Sequence, residues 1–251
     1  MSRRSQSDDR EGGVKRDIML AAKRVVDLAI GSVLLLLTLP AMIAVAAAVK
    51  LSSPGPVFFR QQREGHRGTL FRIFKFRSMV RDAEDHGPVL SIADPRITRI
   101  GRFLRRTSLD ELPQLLNVVF GEMSLVGPRP LLPGTTLPAE IGRLDMRPGM
   151  TSLSVVNKPY LLSWDERMQL DLRYVEEWSL WLDLRILIRT LLAVFTKQNI
   201  LYHPRVSTPS PEEKATGRPK SDETDREASV APIRKNTSEG QLDSTVRGDH
   251  Q

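Results

Sequence analysis

The chain has 251 residues, room for one domain with appendages, and no cysteine, which excludes a disulfide framework and a cysteine nucleophile. Its four histidines, His66, His86, His203 and His250, are scattered without ligand spacing, so any bound metal is expected to be a hard cation held by carboxylates and phosphates. The formal charge of +7 is uneven: residues 204–251 carry eight Lys/Arg and nine Asp/Glu, leaving +8 on 1–203. That balance suits a polyanionic substrate, an anionic membrane surface or nucleic acid, and also an ordinary soluble surface.

Residues 1–17 are polar and charged and are expected to be poorly ordered. From Leu28 to Val49 the chain runs 22 residues without a charge. At about 1.5 Å per residue this covers a ~30 Å hydrocarbon core. A signal peptide is not expected, because the apolar run exceeds the usual ~7–15 residues. Seven Lys/Arg precede the segment and seven follow it within 50–79, whereas a crossing helix needs asymmetric flanks. Pro40, near the middle, removes a backbone hydrogen bond and bends a helix. A helix that enters, breaks at Pro40 and returns satisfies both facts; a straight span with a tolerated proline is the competing reading.

Pro54, Gly55 and Pro56 end this helix. The runs VFFRQQ and TLFRIFKFRSM flank REGHRG and predict a β-hairpin around a glycine-containing turn. Ile97–Arg106 predicts a short basic amphipathic helix and Leu109–Phe120 a second, followed by the loop GEMSLVGPRPLLPG. Trp178–Phe195 is apolar over a broad face, with Asp183, Arg185 and Arg189 its only charges. It reads as an interfacial helix anchored by tryptophans, or equally as a core helix. From Pro204 the chain is rich in Ser, Thr, Pro, Glu and Lys and predicts a disordered tail over 204–251.

The strongest chemical feature is RRTSLDELPQL, residues 105–115. It sets Asp110 beside Glu111 just after Arg102, Arg105 and Arg106. Ser108 and Glu111 have capping-box spacing, and acidic residues suit a first helical turn. The functional reading is that arginines and a helix start keep a carboxylate ionised near bound phosphate. Arg129, between Pro128 and Pro130, sits in a rigid loop as a phosphate clamp or as a solvated turn residue.

Taken in order, KRVVD (23–27), the proline-broken apolar segment, KLSSPGPVFFRQQREG (50–65), FKFRSM (74–79), DPRITRIGRFLRRTSLDELPQLLNV (94–118), MSLVGPRP (123–130) and RPGMT (147–151) resemble the bacterial sugar transferases. More narrowly they resemble the small monotopic polyprenyl-phosphate phosphoglycosyl transferases, over Lys23 to Phe195. The resemblance implies an α+β, mostly helical fold at the cytoplasmic face of a bacterial inner membrane. A re-entrant helix at about 25–50 would join a catalytic body over 51–203, the two making one domain from 18 to 203, with interfacial helices and a small β-hairpin region.

The implied reaction uses Mg²⁺. A nucleotide diphosphate sugar, usually UDP-linked, passes its sugar 1-phosphate through a covalent aspartyl intermediate to polyprenyl (undecaprenyl) phosphate. UMP is released, and polysaccharide or glycoconjugate synthesis starts for downstream glycosyltransferases. Asp110 would be nucleophile and Mg²⁺ ligand, Glu111 its partner, and Arg106 and Arg129 phosphate ligands. Lys75 and Arg77 would lie near the phosphates, or serve as strand-surface charge. Lys23, Arg24 and Asp27 match the helix start and are expected to anchor it and its headgroups. Asp171 and Tyr174 match a D-x-x-Y pattern and are expected to pack.

The sequence departs from the family at Ser152, Val155, Lys158 and Pro159, where Gly, Gln, Gly and Arg are usual. Leu39 replaces a serine some members carry before Pro40, with Thr38 the nearest substitute hydroxyl. The departures leave open a catalytically silent membrane scaffold of the same fold. A nucleic-acid binder has only the basic pI in its favour, since no recognition motif appears.

Overall fold

The computed structural model describes residues 3–81, 83, 94–157 and 163–195. The predicted tail over 204–251, Lys158 and Pro159 lie outside the described residues. Helix α1 (Arg3–Ser52) is continuous in secondary structure. It begins inside the polar segment that was expected to be poorly ordered. The Ala/Leu-rich stretch from Leu28 favours helix strongly, and the helix runs on through Pro40. Proline there leaves the carbonyl of Leu36, four residues back, without its usual partner. The Thr38 hydroxyl donates to the Leu34 carbonyl at 2.7 Å, so it does not replace the lost bond.

One stripe of α1 is buried. Lys23, Asp27, Gly31, Met42 and Val49 face the rest of the protein, with Leu35, Thr38 and Val45 half-buried between them; this is helical spacing from end to end. The other faces expose Val25, Val26, Ile30, Val33, Leu34, Leu36, Leu37, Leu39 and Ile43. Residues 16–52 are long and apolar enough to cross a membrane.

Strands β1 (Phe58–Glu64) and β2 (Leu70–Phe76) form the predicted antiparallel hairpin, with Phe59 opposite Lys75 and Glu64 opposite Leu70. Helix α2 (Arg99–Thr107) follows, N-capped by the Thr98 side chain. The expected helix over Leu109–Phe120 is broken: Leu109–Glu111 is a 3₁₀ turn, and α3 runs only from Gln114 to Phe120. The capping box fails as well. Ser108 is left-handed (φ 57°, ψ 17°) and its side chain caps nothing, because it closes α2 and reverses the chain instead.

The segment expected to be a loop after Phe120 contains β3 (Ser124–Val126), which pairs in parallel with β4 (Gly149–Thr151). Glycine is required where they meet, since a Cβ on Gly127 would lie 2.2 Å from the Arg147 carbonyl. The short α4 (Leu153–Val156), α5 (Trp164–Glu176) and α6 (Leu180–Phe195) complete the body. The main core joins Phe71 and Ile73 of β2, Leu115 and Val118 of α3, Leu125 and Val126 of β3, Tyr174 of α5 and Ile186 of α6. A second cluster packs Met42 and Val49 of α1 against Phe76 and Leu104.

On α6, Leu180, Trp181, Leu184, Ile188, Leu191 and Leu192 are exposed while Asp183 and Ile186 are buried. Asp183 therefore faces the protein, while Arg185 and Arg189 are exposed beside the apolar residues of the outer side, the amphipathic pattern of an interfacial helix. Only Trp181 of the two tryptophans is on it. The Trp178 indole turns inward and donates to Asp183.

Candidate active site

The tight turn at Leu109–Glu111 aims two adjacent carboxylates at the open end of the hairpin. Glu111 makes a short ion pair with Lys75, so the β2 strand and the turn are tied side chain to side chain. The Asp110 carboxyl is pushed up to about 6, first by burial and then by the negative charge of Glu111. Lys75 and Arg105 oppose that rise. Opposing pressures of this kind keep a carboxylate ionised near neutral pH yet poorly solvated, the condition in which it is reactive. Ser108, two residues earlier, is one of two non-glycine residues in the left-handed region among those described, a strain of about 1–3 kcal/mol that the surrounding packing sustains.

Arg105 is one of the three arginines read beside the acidic pair, though the resemblance gave it no role of its own. Its Nε donates to Ser78 Oγ at 2.8 Å, and this holds the guanidinium within electrostatic reach of Asp110. Arg106, the residue the resemblance favoured, is exposed on α2 and holds no hydrogen bond among the described residues. Arg77 has a different task from the one expected. It is buried and donates to the carbonyls of Ser53 (2.7 Å) and Pro54 (2.9 Å) and to Ser53 Oγ. It therefore ties the loop after α1 to the end of β2.

Arg129 belongs to a second cluster. The strand next to its loop is tied to it near the hairpin turn, where Arg63 donates to Pro130 O and Glu64 N to Leu131 O. That point lies five residues along β1 from Phe59, the partner of Lys75, or about 17 Å along the strand. The Arg129 amide donates to Asp171 Oδ2 at 2.9 Å, and its carbonyl accepts a short bond from Arg143 Nη2. Its guanidinium is half-buried, lines a small cleft with Glu64, Gly65, Arg143 and Met146, and holds no hydrogen bond among the described residues. Arg167, buried one turn before Asp171, is lowered from its usual value by burial and by Arg129.

Asp171 and Tyr174 pack, as expected. The Tyr174 hydroxyl donates to Asp183 (2.7 Å), with the Val126 carbonyl 3.1 Å away as an alternative acceptor, and burial drives its pKa upward. Lys23, Arg24 and Asp27 anchor α1 to protein rather than to headgroups. Lys23 pairs with Asp183 at 2.6 Å, Asp27 accepts from Ser124 Oγ and Leu125 N, and Arg24 donates to the Val118 carbonyl. In the divergent segment, Ser152 caps α4 and Val155 is buried.

For a metal, the described residues contain no group of three His, Cys, Asp or Glu ligands. The adjacent Asp110 and Glu111 nevertheless fit a Mg²⁺ ion, which is usually held by one or two carboxylates with substrate phosphates. Fold and site together define a protein with one helix long and apolar enough to cross a membrane and two adjacent carboxylates among cations.

The sequence model of the bacterial sugar transferase family matches residues 18–197. The chain belongs to that family. It is 46% identical over 200 residues to the UDP-glucose:undecaprenyl-phosphate glucose-1-phosphate transferase of Xanthomonas campestris pv. campestris, covering 74% of this chain and 41% of that one. A Caulobacter vibrioides protein of the same description is 41% identical over 191 residues, 70% of this chain and 71% of that one. The UDP-N-acetylgalactosamine-undecaprenyl-phosphate N-acetylgalactosaminephosphotransferase of Aeromonas hydrophila is 38% identical over 184 residues, 69% and 44% respectively. The chain thus spans less than half the length of the first and third of these relatives.

Proposed function

We propose that this protein transfers a sugar 1-phosphate from a UDP-linked sugar to undecaprenyl phosphate at the cytoplasmic face of the inner membrane. Asp110 is the observation that carries the reading: a carboxylate raised to about 6 by burial and Glu111, yet held ionised by Lys75 and Arg105. An Asp110 Oδ attacks the phosphorus bonded to the sugar. The new O–P bond forms as the bond to the bridging oxygen breaks, and UMP leaves with that oxygen. An oxygen of undecaprenyl phosphate then attacks the same phosphorus and frees Asp110, giving undecaprenyl diphosphate-sugar.

Lys75 and Arg105 offset the repulsion between the attacking carboxylate and the phosphate oxygens. Glu111, paired with Lys75, organises that cation. Arg106 and Arg129, whose guanidiniums hold no hydrogen bonds among the described residues, take phosphate oxygens. Mg²⁺ would be held by Asp110 with Glu111 alongside and would neutralise charge on the transferring phosphoryl group.

The continuous stripe from Lys23 to Val49 supports a re-entrant placement, in which Pro40 would be the point of bending. A helix that stays against one basic body along its length keeps both ends on the same side of the bilayer. The exposed apolar faces of α1 and α6 then meet lipid, at the depth where a soluble nucleotide sugar and a lipid phosphate can share one site.

The test is UMP release from a panel of UDP-sugars, UDP-glucose and UDP-N-acetylgalactosamine included, with undecaprenyl phosphate and Mg²⁺. Release that needs the lipid for sustained turnover and disappears in Asp110→Asn supports the reaction. No release from any donor by folded, membrane-inserted protein overturns it in favour of a silent scaffold. Placement has its own test, aided by the absence of native cysteine. Ser5→Cys and Arg60→Cys are both expected to label only from the cytoplasmic side.

A further inference from the structure

Arg129 is held by its backbone in an unusual way. Asp171, 42 residues away on α5, is fully buried and accepts the Arg129 amide on Oδ2 at 2.9 Å. The same oxygen accepts Arg143 Nη2 at 3.0 Å, and that nitrogen reaches on to the Arg129 carbonyl. The other oxygen, Oδ1, accepts Ser154 Oγ at 3.2 Å. Pro128 and Pro130 flank the residue; the first has a fixed φ, and the second restricts Arg129 itself to extended conformations. Both backbone polar groups of Arg129 are therefore gripped by one buried ion pair, while its guanidinium holds no hydrogen bond among the described residues.

An ion pair this deeply buried is a poor source of stability, because apolar residues of similar volume commonly serve as well or better. The Asp171–Arg143 pair exposes only 0% and 2% of its side chains, so its value must lie in what it fixes. Ser154 ties the pair to the segment in which this sequence departs from its family. A change there reaches Arg129 without touching substrate.

We propose that Asp171, with Arg143 and Ser154, is a positioning residue that aims the Arg129 guanidinium at phosphate oxygens. The proposal rests on the reading of Arg129 as a phosphate ligand. The phosphate comes from the nucleotide sugar or from the lipid carrier, and kinetics separate the two, since the KM that moves names the source.

The experiment is a double-mutant cycle on the full chain in membranes, with Asp171→Asn and Arg129→Ala, using the UDP-sugar that the panel identifies and undecaprenyl phosphate as varied substrates. Asp171→Asn alone is expected to raise one KM about 10- to 100-fold, the scale of a misplaced binding group, with kcat changed much less. In the Arg129→Ala background the same substitution is expected to change neither KM further, although it lowers the melting temperature equally in both. An equal KM penalty in both backgrounds means a merely structural role and overturns the positioning proposal alone. A neutral Arg129→Ala overturns the phosphate reading and the positioning with it. If Asp171→Asn does not fold, Ser154→Ala carries the same cycle, with a smaller rise in KM that again vanishes without Arg129; an equal rise in both backgrounds overturns the proposal.

Discussion

Asp110 and Asp171 are both buried from water to some degree, both lie beside arginines, and they have opposite fates. Asp171 has no exposure and receives hydrogen bonds from Arg129, Arg143 and Ser154. Asp110 sits in a strained turn against a second carboxylate, and its pKa is raised to about 6. A carboxylate that accepts hydrogen bonds on both oxygens holds a framework together. One crowded by a like charge, with cations in electrostatic reach, is the carboxylate that the proposed reaction uses. The distinction rests on the partners each one has, more than on the degree of burial.

The largest effect that tests the comparison is Asp110→Asn, expected to lower kcat by about 10⁴-fold or more in the UMP-release assay, as removal of a nucleophile does. Retention of more than a tenth of the activity would move the chemistry elsewhere. Next is Lys75→Met, expected to cost about 100-fold in kcat. It also removes a cation that lowers the Asp110 pKa, so the acid limb of the pH profile should move upward.

In wild type the sign is fixed by the raised carboxyl. The ionised form attacks, so kcat/KM should be flat above about 6 and fall about tenfold per pH unit below it. An acid limb near 4 would mean that Asp110 is solvated in the working enzyme. On the structural side, Lys23→Met breaks the buried pair with Asp183 and should cost about 3 kcal/mol in chemical denaturation. Smallest is Ser108→Gly. It relieves a left-handed φ and is expected to stabilise by about 1 kcal/mol; a loss of stability would mean that the serine side chain contributes something its hydrogen bonds do not reveal.

Much of this was legible in one dimension because it depends on neighbours in the chain. The uncharged run from Leu28 to Val49, the hairpin around Gly65 and Gly68, and the Asp110–Glu111 pair after a basic helix are local patterns, and their elements formed. The local pattern misled where a fold-level need overrode it. Ser108 has the spacing of a capping box, but the chain must reverse there, and the residue was spent on a left-handed corner. The stretch 121–134 reads as loop because β3 is three residues long and finds its partner only at Gly149.

The sequence alone determined the long apolar helix, the mixed helical and hairpin architecture, and the adjacent Asp110 and Glu111 after a run of arginines, since periodicity, charge and motif are properties of adjacent residues. Tertiary structure alone decided which arginine stands by Asp110, that Arg77 serves the end of α1, that Lys23 and Asp27 face protein instead of headgroups, and that Asp171 holds Arg129. The Arg77, Arg105, Asp171 and Lys23 contacts join residues 24 to 160 positions apart. Hydrogen bonds over such separations are set by how the core packs, and no spacing in the chain records them.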